Sequence, residues 1–232
     1  SNFVDKYKIS LEDNSENSDI IERINNLKED LDKGILPKNI GLNYFKSFVS
    51  NTHLYNPLLF KDGRFSKIKI APIELNEGEI KFVEDLEEYL NKNHIQNSEI
   101  FLLRNKSKAG IGFFEDSGFY PDFILWILKD GKQYINFCDP KGIRNLNPKN
   151  DPKINFHKSL KEKEAKLADS SIVLNSFIIS NTPFNVIQNL HSDITKIEMD
   201  TKNVLFQNEN EYINNMFAKI LDSEKLGQIL VT

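Results

Sequence analysis

The stretch FYPDFILWILKDGKQYINFCDPKGI, residues 119–143, decides the fold. Two runs rich in aromatic and branched residues flank Lys129-Asp130-Gly131-Lys132. Asp-Gly suits a two-residue hairpin turn, whose central residues both take positive φ. The pattern therefore predicts an antiparallel hairpin. Its open end is charged: Asp122 follows Pro121, and Asp139 and Lys141 flank Pro140. Asp122 lies eight residues before Asp130, and Asp139 lies eight residues after Gly131. Counting outward from the turn thus sets the two carboxylates side by side. Side chains alternate across a strand, so Asp139 and Lys141 share a face and Cys138 points to the other.

Outward from this hairpin the patterns alternate between the two periods. KIKIAPIEL (67–75) alternates as a strand, and NEGEIKFVEDLEEYLNKN (76–93) reads as a helix that Asn76 caps. EIFLLRN (99–105) and GIGFFED (110–116) are strand candidates before the hairpin. A polar loop then leads to a helix over 154–169 and a strand over 171–180. NVLFQ (203–207) and EYINNMFAKILDSEKLG (211–227) predict a last strand and a terminal helix. Upstream, SLEDNSENSD (10–19) reads as a loop, and SDIIERINNLKEDLDKG (18–34) as a helix that Gly34 stops. Consecutive strands imply antiparallel pairing. A strand that follows a crossover helix implies a parallel neighbour. The expected class is α/β (α+β), a mixed sheet with helices on both faces.

At 232 residues with 39% hydrophobic content, the chain is long enough for a sizeable core. A net charge of −4 does not advertise a nucleic-acid binder, though the distribution of charge matters more than the sum. The single cysteine, Cys138, excludes an intrachain disulfide and a Cys-rich zinc site. With no apolar run long enough for a membrane span, the expectation is a cytoplasmic protein without membrane contact. The chain begins Ser-Asn-Phe without Met, which suggests a piece of a longer protein.

Two adjacent carboxylates repel each other unless something positive intervenes. Lys141 alone would give a structural ion-pair cluster. A divalent cation between Asp122 and Asp139 would give a metal site of oxygen ligands, suited to Mg²⁺ or Mn²⁺. The residues by themselves leave both open. The helix before the hairpin bears on the choice. Glu79, Val83, Leu86 and Leu90 fall on one stripe, so Glu79 points inward with the core residues and needs a partner. A metal site would supply one. The plainer role for Glu79 is to favour the helix N-terminus, as Glu77 does, and Glu84 is the fallback acid.

Pro121-Asp122, a hydrophobic strand, and then Asp139-Pro140-Lys141, preceded by an acidic helix, resemble the PD-(D/E)xK nuclease signature. The flanks HLYNPLL, IELNEGEIKFVEDLEEYL, LLRNKSKAGIGFFEDSGFYPDFILWI, FCDPKGI and LNSFIISNTPF add to it. Together they resemble the C-terminal endonuclease region of type III restriction enzyme Res subunits and related helicase–nucleases, over roughly residues 50–215. The resemblance implies a restriction-endonuclease-like fold over 67–232, with 1–66 as a partly helical extension. It implies a metal-dependent DNA endonuclease within a restriction or antiviral defence system. Asp122, Asp139 and the Pro140 carbonyl would bind the metal, Mg²⁺ or alternatively Mn²⁺. Glu79 would complete the acidic set, and Lys141 would act on the attacking water or the scissile phosphate. Asp139 stands where many relatives carry Glu. The implied partners are double-stranded DNA, an upstream helicase domain of the same polypeptide and a methyltransferase subunit. This chain contains no G-x-x-x-x-G-K-[ST] phosphate loop. The other expectation for the same signature is a non-catalytic, nuclease-like domain that binds nucleic acid or braces a helicase.

Between Lys129 and Lys166 stand ten Lys or Arg against five Asp or Glu, and Arg104, Lys106 and Lys108 precede them. Such groups can follow a phosphate backbone, although for the KEKEAK helix a solvated face with i,i+4 pairs is the simpler reading. Arg104 and Asn105 end a strand near the charged rim. Trp126 reads as core, Cys138 as a small buried hydrophobe, and the four histidines (His53, His94, His157, His191) lack metal-ligand spacing.

Overall fold

Asp130 and Gly131 take φ of 49° and 78°, both positive as the hairpin turn requires. They join β6 (Phe123–Lys129) to β7 (Lys132–Lys141) in the computed structural model. That model describes residues 75–105 and 120–221, four short strands before them, and positions 21, 22, 25, 26, 29 and 33. The pairing runs from Lys129↔Lys132 to Phe123↔Cys138, so the register counted from the turn is the observed one.

The chain forms two compact units, Ser1–Ile80 and Lys81–Thr232. In the first, β1 (Lys8–Leu11) pairs antiparallel with β4 (Ile68–Ala71), and β2 (Phe45–Phe48) with β3 (Leu58–Lys61). The sequence reads Ser10 and Leu11 as the start of a loop, whereas here they end β1. Residues 21, 22, 25, 26 and 29 are helical. The strand candidate at 110–116 and the end of the terminal helix, 222–227, lie outside the described residues.

The second unit holds a five-stranded sheet in the order β5-β6-β7-β8-β9. Its flanking strands are β5 (Ser98–Arg104), β8 (Ile172–Ser180) and β9 (Val204–Phe206). β5, β6 and β7 are mutually antiparallel, while β7–β8 and β8–β9 are parallel. The crossover between β7 and β8 is α2 (Pro152–Leu167), which Asp151 caps through the Lys153 N–H at 2.8 Å, with Pro152 opening the helix. The chain is thus an α/β protein with a mixed sheet and flanking helices, as expected.

Strand alternation separates two apolar layers. On one face Phe123 meets Phe82 of α1 (Glu77–Lys92) with ring centroids 5.5 Å apart. Phe217 of α5 (Tyr212–Leu221) stacks on Tyr89 at 4.4 Å. On the other face Ile124 and Phe137 pack with Phe156 and Leu160 of α2. Further along that face, Ile178, Val204 and Phe206 join Ile187 of α3 (Phe184–Leu190) and Met199 of α4 (Lys196–Thr201). Cys138 is fully buried on the Phe123 side. Trp126 shares the Ile124 side, and its indole N–H is buried without an acceptor among the described residues. No helix among the described residues is long and apolar enough to cross a membrane.

Leu160 is fully buried between α2 and the sheet, whereas Leu167 at the end of the same helix is 50% exposed. Leu160→Ala should lower unfolding free energy by about 2–5 kcal/mol. Leu167→Ala should change it by less than about 0.5 kcal/mol. Urea denaturation midpoints of the two variants check this.

Candidate functional site

The open end of the β6–β7 hairpin is a rim where the ladder stops and side chains take over. Phe123↔Cys138 is the last β6–β7 pair, so Asp122 and Asp139 stand next in register, just outside it. Asp139 continues β7, opposite Ile178 of β8 and two residues beyond Phe137 on the same face. It is 5% exposed. Lys141, two residues further along that face, pairs its ammonium with Asp139 Oδ2. Asp122 lies in the bend that leads into β6, with its side chain 30% exposed.

Pro140 fits this place for a steric reason. The Lys141 carbonyl accepts from Asn181 N on the β8 side, so strand alternation turns the Pro140 carbonyl away from β8. β6 has already ended there, so the missing proline N–H breaks no ladder bond to it. The end of β7 is tied to the loop after β8. Ile143 N donates to Thr182 Oγ1 at 3.2 Å, and a Cβ on Gly142 would stand 3.1 Å from Asn181 Oδ1.

Electrostatics follow from the burial. Asp139 has Phe137 and Ile178 as neighbours on its own face, and this apolar wall pushes its carboxyl up to about 7. Lys141 pulls the other way, while a hydrogen bond with Asp122 and the repulsion of that second acid push further up. Loss of water therefore outweighs the ammonium. Asp139 is therefore partly protonated near neutral pH, with a second acid, Asp122, in hydrogen-bonding reach. Burial pushes the Cys138 thiol strongly up, which makes it an inert packing residue.

Arg104 ends β5, beside the start of β6. Its Nη1 lies 3.2 Å from Asp122 Oδ1 and donates to the Asp122 carbonyl at 2.9 Å. Asn105 beside it donates its N–H to the same carbonyl at 2.8 Å and its Nδ2 to the Pro121 carbonyl at 2.8 Å. No motif marks these residues. The one usable signal was a polar pair ending the strand that lies beside β6.

Glu79 is 4% exposed, as its place on the apolar stripe of α1 implies. Its Oε2 accepts from Asn76 N at 3.0 Å, while Asn76 Oδ1 accepts from Glu79 N at 3.0 Å. This reciprocal pair is a capping box, so a main-chain N–H is one partner of the inward carboxylate. Among the described residues no three His, Cys, Asp or Glu side chains stand together as a metal-binding group. The side chains gathered at the rim are Asp122, Asp139 and Lys141, with Arg104 behind Asp122.

Of the positive stretch after the hairpin, several members are matched by acids. Lys129 pairs with Asp130, Lys149 with Asp193, and Lys161 with Glu164 at 2.8 Å. Lys106 and Lys108 lie outside the described residues. His157 Nδ1 lies 3.1 Å from the Ile154 carbonyl within α2.

The donor set suits a hard divalent cation. Two carboxylates and a carbonyl offer only oxygen, and Mg²⁺ is commonly held by one or two carboxylates with water completing its shell. A cation on the pair would also offset the part of Asp139's burial that Lys141 leaves uncompensated. No protein-family model, no curated protein and no solved structure matches the chain.

The raised Asp139 carboxyl has a consequence for metal-free stability. Its ordinary value is 3.8 and its folded value about 7, so between these the folded state holds a proton that the unfolded state has released. Stability contributed by this group is present at the acid end and is lost as pH rises through that window. In chelator, Asp139→Asn, neutral at every pH, should become the more stable of the two proteins as pH rises from about 4 to about 8. Denaturation midpoints across that range check it; a constant gap between the two would contradict the raised value.

Proposed function

We propose that this chain is a metal-dependent DNA endonuclease domain of the PD-(D/E)xK type, the nuclease part of a type III-like restriction enzyme. The observation that carries the reading is the convergence of Asp122, Asp139 and Lys141 at one rim of a mixed sheet, with Asp139 buried against apolar side chains. The hairpin register alone would bring the three charges together; what it does not require is that one of the two acids be buried, as Asp139 is.

In this reading Asp122, Asp139 and the Pro140 carbonyl hold Mg²⁺, or Mn²⁺ in its place. When bound, the cation polarises the scissile phosphate and lowers the pKa of a water. Lys141 is 20% exposed, so its ammonium reaches solvent while Asp139 holds it in place. There it orients the attacking water or stabilises negative charge on the phosphate. Phe137 and Ile178 keep water from one side of Asp139, which strengthens every charge interaction at the rim. Glu79 enters this proposal as the cap of α1. Double-stranded DNA is the substrate, and an upstream helicase domain and a methyltransferase subunit are the expected partners of such a nuclease.

One feature favours a non-catalytic nuclease-like domain instead: Asp139 and Asp122 each already have a cationic partner in the protein, Lys141 and Arg104. Plasmid nicking separates the two readings. With Mg²⁺ the wild-type chain should convert supercoiled plasmid to nicked or linear forms. Asp139→Ala and Lys141→Ala should retain their circular dichroism and lose about 10²-fold or more in rate. Equal cleavage by all three proteins would reject the site.

A further inference from the structure

We propose that Arg104 is the positioning residue of Asp122 and thereby sets the divalent-cation affinity of the carboxylate pair, an inference that rests on the metal-site reading above. Asp122 lies in a bend, outside the β6–β7 ladder, so strand pairing does not fix its side chain. Arg104 does. One guanidinium nitrogen meets both the carbonyl oxygen of Asp122, at 2.9 Å, and its carboxylate Oδ1, at 3.2 Å. Contacts to main chain and side chain of one residue restrict how the carboxylate can turn about its own backbone.

The arginine is itself held. Its guanidinium carbon lies 4.8 Å from the ring centroid of Phe123, and its side chain is only 13% exposed. Phe123 in turn is fully buried against Phe82. The guanidinium is therefore anchored in the apolar layer on the far face of the sheet and reaches round the strand to Asp122. So buried a cation is poorly placed to meet a DNA phosphate. Hydrogen bonds to a ligating carboxylate hold it in its binding orientation, and their loss typically weakens metal affinity about 10- to 100-fold. Lysine carries the same charge as a point on a flexible stem and loses the planar group that lies over Phe123.

Arg104→Lys isolates the geometry, because it keeps the charge and its repulsion of a cation. Calorimetry with Mg²⁺ and with Mn²⁺ on the full 232-residue chain should show affinity falling about tenfold in Arg104→Lys. Asn105→Ala is the comparison: it loses the bond to the Pro121 carbonyl but leaves the Asp122 carboxylate untouched. It should lower the melting temperature yet keep metal affinity within about twofold of wild type. A merely structural Arg104 would behave like Asn105, with a lower melting temperature and unchanged affinity, and that result would overturn the inference. If Arg104→Lys does not fold by circular dichroism, Arg104→Gln replaces it. Gln removes the repulsion, so a fall in affinity supports the positioning role and an unchanged or higher affinity overturns it. Wild type binding no more metal than Asp139→Asn would instead remove the metal-site reading, and this inference with it.

Discussion

The register of one hairpin governs the five-stranded sheet and its charged rim. Asp130-Gly131 closes β6 onto β7 with both residues at positive φ, and every pair outward from the turn follows from that closure. A slip of one residue would reverse the faces of one strand. Phe137 would leave the α2 layer, Cys138 would leave the Phe123 layer, and Asp139 would no longer stand beside Asp122. The apolar pattern on both faces therefore protects the geometry of the charged rim, since core packing and carboxylate pairing depend on the same register.

The rim stands in tension with the stability that surrounds it. A carboxylate between Phe137 and Ile178, with a second acid in hydrogen-bonding reach, is held partly protonated near neutral pH even with Lys141 beside it. Removing charge there would relieve the fold. A protein shaped for stability alone has little reason to keep two acids where β6 ends. The structure accommodates them with devices outside the ladder: the Arg104 contacts to Asp122, the Asn105 bonds to the bend, and the loop bonds that fix the end of β7.

Much of the sheet was legible because local rules and tertiary packing agree. The Asp-Gly turn, the capped helix α1 and the crossover helix α2 each carry their own signals, and the mixed pairing follows from their order. Other parts were not. β1 pairs with β4 across most of the first unit, a long-range contact with no local mark. The short helix α4 does carry a mark, the Thr195–Glu198 capping box, but its six residues give too little apolar periodicity to be noticed. Glu79 lies on the stripe that made it an inward residue, yet stripe position does not say which donor meets the carboxylate. Here one donor is the N–H of Asn76, three residues back.

What the sequence determined by itself is the pairing of Asp122 with Asp139 and the shared face of Asp139 and Lys141. These are consequences of a two-residue turn and a period of two, both local. What only the tertiary structure decided is how those charges are held. Arg104 comes from a neighbouring strand eighteen residues before Asp122, and it reaches the carboxylate from the opposite face of the sheet. Part of the apolar wall beside Asp139, Ile178, comes from β8, beyond a crossover helix. Neither has a spacing rule, because both arise from contacts between segments that meet only once the chain has folded.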